Sequence, residues 1–229
     1  MNYPAILDED HVTQAAGLVR RYYRPIAGNS SPRTGTRFDD WAGGGDRPDV
    51  ADLITADDLV AVSFLSVHIK GRAAIGLLEK HADEIADLLR QLPADVDLWD
   101  ADIDELNATG NPADELWRLL RGRKYGQWGI GPTRASKIMA RKRPRLIPIY
   151  DSVVRPLMGL KDSGGQWTTW HAALTDGTDL PGRLEAIRDA ADAPKHISAL
   201  RVMDIVLWMH GIELGIEPDN DGDIADPEE

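Results

Sequence analysis

The chain has 229 residues, 42% of them hydrophobic, no cysteine and a formal net charge of −12. That length supports one globular domain or two small lobes sharing a core, and the lack of cysteine excludes disulfides, thiol nucleophiles, iron–sulfur clusters and cysteine zinc sites. No apolar run is long enough for a membrane span and the first residues lack a signal-peptide pattern, so a cytoplasmic protein without membrane contact is expected.

Helical spacing of Val12, Ala15, Ala16 and Val19 predicts a first helix over 8–23. Residues 28–49 are rich in Gly, Ser and Pro and read as a long loop. Phe38 and Trp41 lie within it, either as buried anchors or as part of an active-site loop. Thr55 with Asp58 resembles a capping box that starts a helix to about His68. The stretch DDLVAVSFLSV is apolar nearly all round, which fits a central helix, with a strand as the alternative. Leu77, Leu78, Ile85, Leu88 and Leu89 give 72–92 one apolar side, and Pro93 ends that helix. Asn111-Pro112 and Gly131-Pro132 each place Pro at a first helical position, predicting helices over 112–120 and 132–140. Pro144 and Pro148 forbid helix before Asp151. Further helices are expected over 152–158, 167–174, 181–191 and 197–214. With few strand signals and no repeat, the fold class is all-α: one compact multi-helix domain over 1–216, with roughly eight or nine helices. The tail 217–229 holds seven carboxylates and no basic residue, and is expected to be disordered.

Charge is distributed unevenly. Ten basic residues and no acid lie between Arg118 and Arg145, and a local basic field, not net charge, is what attracts phosphate. Alternating solvated basic and acidic surfaces would give the same count. The segment also has the parts of a helix-hairpin-helix: a helix over 114–123, a connection over 124–131 carrying Gly129 and Gly131, and a second helix from Pro132. Glycine lets backbone N–H groups approach phosphate, and the second helix points its positive dipole end at it. Arg134, Lys137 and Arg141 recur at helical spacing on one face. With Gly129, Gly131, Thr133, Lys142 and Arg143 they form the candidate contacts to a DNA backbone, and an ordinary helix–helix connection is the alternative.

The pattern Gly129-Ile130-Gly131, Ala135, Pro144, the run Leu146–Tyr150, then Asp151 and Val154 resembles the helix-hairpin-helix superfamily of DNA glycosylases. The resemblance covers about 114–158 and implies a glycosylase-like fold, with Asp151 as the catalytic carboxylate at the start of the next helix. It also implies a base flipped into a pocket and stacked on aromatic rings, for which the candidates are Phe38, Trp41, Trp128 and Tyr150. Members that cut the strand carry Lys where this chain has Thr133, and Lys137 lies one helical turn further on. Any chemistry is thereby narrowed to monofunctional base excision. Gln127-Trp128 stands where Leu-Pro is usual. N-capping of the following helix accounts for Asp151 equally well. The whole chain, through GIGPTRASKIMARKRPRLIPIYDSVV and SALRVMDIVLWM, also resembles an uncharacterised actinobacterial family of unknown function. The six His residues are scattered without metal-ligand spacing, so no metal or cofactor is expected. A non-catalytic DNA-binding protein or a protein-interaction module remains the alternative function, and nothing in the sequence sets an oligomeric state.

Overall fold

Periodic apolar residues and side-chain caps account for nearly every element of the computed structural model, which describes residues 3–218 apart from 27, 29, 30, 124, 125 and 127. Lys124 and the tail beyond Pro218 therefore lie outside the described residues. Among those described there are eleven α-helical segments and no strand. They are α1 (Val12–Tyr23), α2 (Ala56–Ser63), α3 (Gly71–Ile75), α4 (Ala82–Arg90), α5 (Ile103–Leu106), α6 (Pro112–Leu120), α7 (Pro132–Lys142), α8 (Val154–Leu157), α9 (Gln166–Leu174), α10 (Leu180–Ala190) and α11 (Ala199–Glu213). No helix is long and apolar enough to cross a membrane.

The caps behave as their residue types require. Thr55 and Asp58 form a reciprocal capping box, with Thr55 N donating to Asp58 Oδ2 at 2.9 Å and Asp58 N to Thr55 Oγ1 at 3.3 Å. Asn111 caps α6 by accepting from Asp114 N at 2.8 Å, and Ser198 caps α11 by accepting from Arg201 N at 3.1 Å. The helix expected to reach His68 stops at Ser63, and the chain turns through Ser66 at φ 61°. The long loop contains two 3₁₀ turns, Thr34–Arg37 and Trp41–Gly43.

The amphipathic helix expected over 72–92 is broken. α3 runs into a π-helical stretch, Gly76–Lys80, before α4 begins. The break coincides with a close approach from far along the chain: a Cβ at Gly76 would lie 2.1 Å from Trp128 Cζ3. The Trp128 indole N–H also donates to the Leu120 carbonyl at 2.5 Å, closing the C-terminal end of α6. Gly76→Ala is accordingly expected to lower stability by about 1–3 kcal/mol, the usual cost of overpacking a core contact. A shift of the urea midpoint at unchanged slope measures it.

One hydrophobic core runs through the chain, joining Leu18 of α1, Val62 of α2, Leu116 of α6, Ile138 of α7, Trp170 of α9 and Val206 of α11. α11 packs on α1, α10 and α8, while α7 lies against α2 and α6. Every residue of α7 is buried. The helix that carries most of the basic run is therefore a central element, and this decides the nature of the site.

Candidate functional site

The cations of α7 and its C-terminus do not form a surface. Arg134, Lys137, Arg141, Lys142 and Arg143 are each at most 3% exposed. Arg134 donates to the Gly129 carbonyl at 3.2 Å, so it braces the glycine turn from inside. Arg141 spans Asp58 Oδ1 at 3.2 Å and the carbonyls of Phe38, Asp39 and Trp41, at 2.5, 2.8 and 2.5 Å. Lys142 meets Asp58 Oδ2 at 2.9 Å, and burial lowers its pKa against the opposing pull of Asp58. Arg143 donates to the carbonyls of Ala51 and Leu92, both at 2.8 Å, and to Asp52 at 2.6 Å. The expected phosphate-binding face is thus corrected. A run of cations without acids reads as a solvated face, but here the groups that compensate Arg141, Lys142 and Arg143 come mainly from residues 38–58 and 89–92, which the run itself does not reveal. What the turn presents outward is Gly129, exposed at φ 84°, a conformation only glycine adopts freely, with the Lys70 side chain against it. Gly131 is half-buried as the N-cap of α7.

The segment leading to Asp151 is pinned onto α7. Residues 144–146 form a turn in which Leu146 N and Ile147 N donate to the Arg143 carbonyl at 3.1 and 2.9 Å, and the Ser136 hydroxyl accepts from Tyr150 N at 2.9 Å while donating to the Thr133 carbonyl at 3.0 Å. Gln166 holds the Pro148 carbonyl at 3.2 Å. Asp151 emerges from this run half-buried and uses its two oxygens differently. Oδ1 accepts from Val153 N at 3.0 Å, closing the turn into α8, and Oδ2 accepts from Lys137 Nζ at 3.2 Å. α8 begins at Val154 with Val153 at its N-cap position and no side-chain cap, so the expected N-capping by Asp151 is corrected to a turn bond just before that helix. Lys137, read from the sequence as a phosphate contact, instead pairs with Asp151 and with the Leu65 carbonyl at 3.0 Å.

Asp151, Lys137 and Thr133 form one wall of a cavity of about 350 Å³. The same cavity is lined by Arg201, Asp204 and Trp208 of α11, by Tyr22 and Phe64, and by loop residues 32–35. Arg201 ties these parts together. It donates to Asp39 Oδ2 at 3.0 Å, Tyr22 OH at 2.9 Å, the Gly35 carbonyl at 3.0 Å and Asp204 Oδ2 at 2.5 Å. Burial works against its charge, but the facing Tyr22, Asp39 and Asp204 hold its pKa well above the ordinary value. Burial likewise pushes the Asp204 carboxyl up to about 6; Asp151 adds to that rise, and Arg201 and Lys137 oppose it. The Thr133 hydroxyl is buried with no hydrogen-bond partner among the described residues. Two carboxylates, three cations (Arg33, Lys137 and Arg201) and three aromatic side chains on one cavity can hold a planar polar ligand and exchange a proton near neutral pH.

None of the four aromatic residues expected to stack a base lines this cavity. Phe38 is 2% exposed beneath the Arg201 guanidinium, 5.3 Å from its ring, and Tyr150 is 1% exposed. Trp128 locks the α6 end against Gly76. Trp41 is half-buried, its indole N–H on Asp57 at 3.1 Å and its ring edge-on to Phe64 at 5.2 Å, which makes it a loop anchor. The aromatic walls are Tyr22, Phe64 and Trp208, which sit in stretches of apolar helical pattern and read as core. The overlooked signal lay in LRVMDIVLWM, where Arg201 and Asp204 are charges inside an apolar helix. Charges there must be paired or functional.

No curated protein and no solved structure matches the chain. Residues 15–211 match the family of unknown function DUF6308, and the chain belongs to that family.

Proposed function

We propose that this DUF6308 chain hydrolyses an N-glycosidic bond, with Asp151 as the catalytic carboxylate and the adjoining cavity as the pocket for the base. One observation carries this: Asp151, the residue the glycosylase resemblance singles out, stands on the wall of a cavity of about 350 Å³ with Lys137 holding its Oδ2. Phe64 and Trp208 line that cavity and supply aromatic surface for a planar base, with the Arg33 guanidinium over the Trp208 ring at 5.9 Å. Asp151 faces the positive charge that develops on the sugar as the base departs and orients the attacking water. In the DNA form of the reaction the Gly129–Gly131 turn and Lys70 grip the backbone beside a flipped nucleotide.

The test uses duplex oligonucleotides carrying uracil, hypoxanthine or an alkylated purine, treated with hot alkali after incubation to cut abasic sites. Cleavage is expected for at least one duplex. Asp151→Asn is expected to slow it by roughly 10²–10⁴-fold, the usual contribution of a positioned acid–base group. The amide oxygen still accepts from Val153 N, but the amide N–H₂ meets buried Lys137, so urea unfolding of the variant accompanies the rate measurement. A duplex with a cationic pyrrolidine in place of the sugar should also bind more tightly than one with neutral tetrahydrofuran, and Asp151→Asn should erase the difference. Absence of both cleavage and that preference rejects the reaction on DNA.

Burial of the five α7 cations favours a second reading, in which the same cavity takes a free nucleoside and no extended phosphate backbone. Release of free base from ribo- and deoxyribonucleosides, followed by chromatography, decides between the two substrates.

A further inference from the structure

We infer that Asp204 is the proton donor of the cavity: its carboxylic acid, on Oδ1, hydrogen-bonds an in-plane acceptor of the bound heterocycle and protonates the base as it leaves. This deepens the N-glycosidic reading and rests on it for the leaving step. The geometry comes first. Asp204 is 5% exposed, lines the same cavity as Asp151 and belongs to a different element, so both carboxylates reach one bound ligand. Arg201 takes Oδ2, while Oδ1 accepts no hydrogen bond from the described residues and is left for a ligand. The charged and titratable groups around it are Arg201 on α11, Lys137 on α7, Asp151, Asp39 in the loop and Tyr22 on α1. The buried Thr133 hydroxyl, without a partner among the described residues, is a second polar group on the cavity left for a ligand.

The two carboxylates divide the work because their surroundings differ. Asp151 accepts from the Lys137 ammonium at 3.2 Å and from Val153 N at 3.0 Å. Asp204 is enclosed, and its proton persists to about pH 6. In the leaving step the bond between the sugar carbon and the base nitrogen breaks, its electron pair goes to the base, and the Asp204 proton neutralises the base. Water adds to the sugar carbon and gives its proton to Asp151. Transfer of that proton through solvent to Asp204 restores the starting state, so the net change is addition of one water across one bond.

Adenine is the probe, because it is planar, has in-plane nitrogen acceptors and requires no turnover. Calorimetric titration of the full chain with adenine is run from about one pH unit below the Asp204 value to about two above it, where adenine stays neutral. The affinity is expected to fall on the order of tenfold per pH unit once the Asp204 proton is lost. Asp204→Asn keeps a donor that cannot titrate, and its affinity is expected to stay flat across the range. No binding at acid pH, a flat wild-type profile, or an equally steep profile in Asp204→Asn overturns the assignment. The wild-type profile needs no variant, so a variant that fails to fold does not rescue it. Failure here is separable from failure of the hydrolytic reading. pH-dependent adenine binding without cleavage of any duplex or nucleoside removes the reaction and keeps the proton donor, whereas cleavage with pH-independent adenine binding does the reverse.

Discussion

Asp58→Asn is expected to lower the unfolding free energy by about 3–5 kcal/mol, the range found when one partner of a buried ion pair is removed. Asp58 is 1% exposed and serves three partners. Its Oδ1 accepts from Arg141 Nε at 3.2 Å, and its Oδ2 accepts from Lys142 Nζ at 2.9 Å and from Thr55 N at 2.9 Å. An amide there removes the only negative charge that Lys142 meets among the described residues and turns an N–H₂ toward one of two cationic donors. The desolvation that already lowers the Lys142 pKa would then act without its counterweight. Lys142→Met in the Asp58→Asn background is expected to recover part of the loss, because it removes the stranded charge and keeps the apolar stem. As a contrast, Asp87→Asn breaks an ion pair whose partners Arg90 and Asp87 are 55% and 69% exposed, and is expected to change stability by less than about 0.5 kcal/mol. Urea unfolding of the four proteins measures all of this; a loss under about 1 kcal/mol for Asp58→Asn would show that the triad is hydrated after all.

The same triad explains what the sequence did and did not disclose. Helices whose signals are local were legible. The apolar spacing of α1, the Asn111-Pro112 start of α6 and the apolar run LRVMDIVLWM of α11 are properties of neighbouring residues, and the observed bounds lie within a few positions of those expected. Features that depend on contacts remote in sequence were not. The π-helical break at Gly76–Lys80 follows from an indole more than forty residues away along the chain. The burial of Arg141, Lys142 and Arg143 follows from Asp58, Asp52 and a set of carbonyls that no pattern in 129–145 announces. Asp151 was legible as a carboxylate that follows two prolines, and it borders the cavity. The other half of the site was hidden because α11 is so apolar that its two charges looked like exceptions in a core helix, although they are what makes the cavity polar.

Those two charges give the second large effect. Arg201→Met is expected to destabilise the protein at neutral pH by about 3–5 kcal/mol, since a buried carboxylate loses its partner while the apolar volume is roughly kept. The guanidinium is 5% exposed, and it alone joins Asp39, Tyr22, the Gly35 carbonyl and Asp204. Its loss also has a pH signature. Burial already lifts the folded pKa of Asp204 to about 6 from an ordinary 3.8, and Arg201 is the chief influence holding it down. A carboxyl raised in the native state binds more protons folded than unfolded, so its contribution to stability falls as pH rises through the interval between the two values. Removing Arg201 raises the upper limit of that interval. The stability deficit of Arg201→Met relative to wild type is therefore expected to be smallest below about pH 6 and to widen above it. Adding Asp204→Asn, which cannot ionise, should abolish the widening while leaving the pH-independent part that comes from Asp39, Tyr22 and Gly35. Urea unfolding of wild type, Arg201→Met and the double variant on either side of that pH is the measurement. A deficit of constant size would mean that Arg201 acts only as a brace for the loop and has no electrostatic hold on Asp204. A widening deficit that the double variant removes would mean that the charge balance of the cavity is set from α11, and that the proton-carrying state of Asp204 depends on the same arginine that secures the Pro32–Gly35 rim of the pocket.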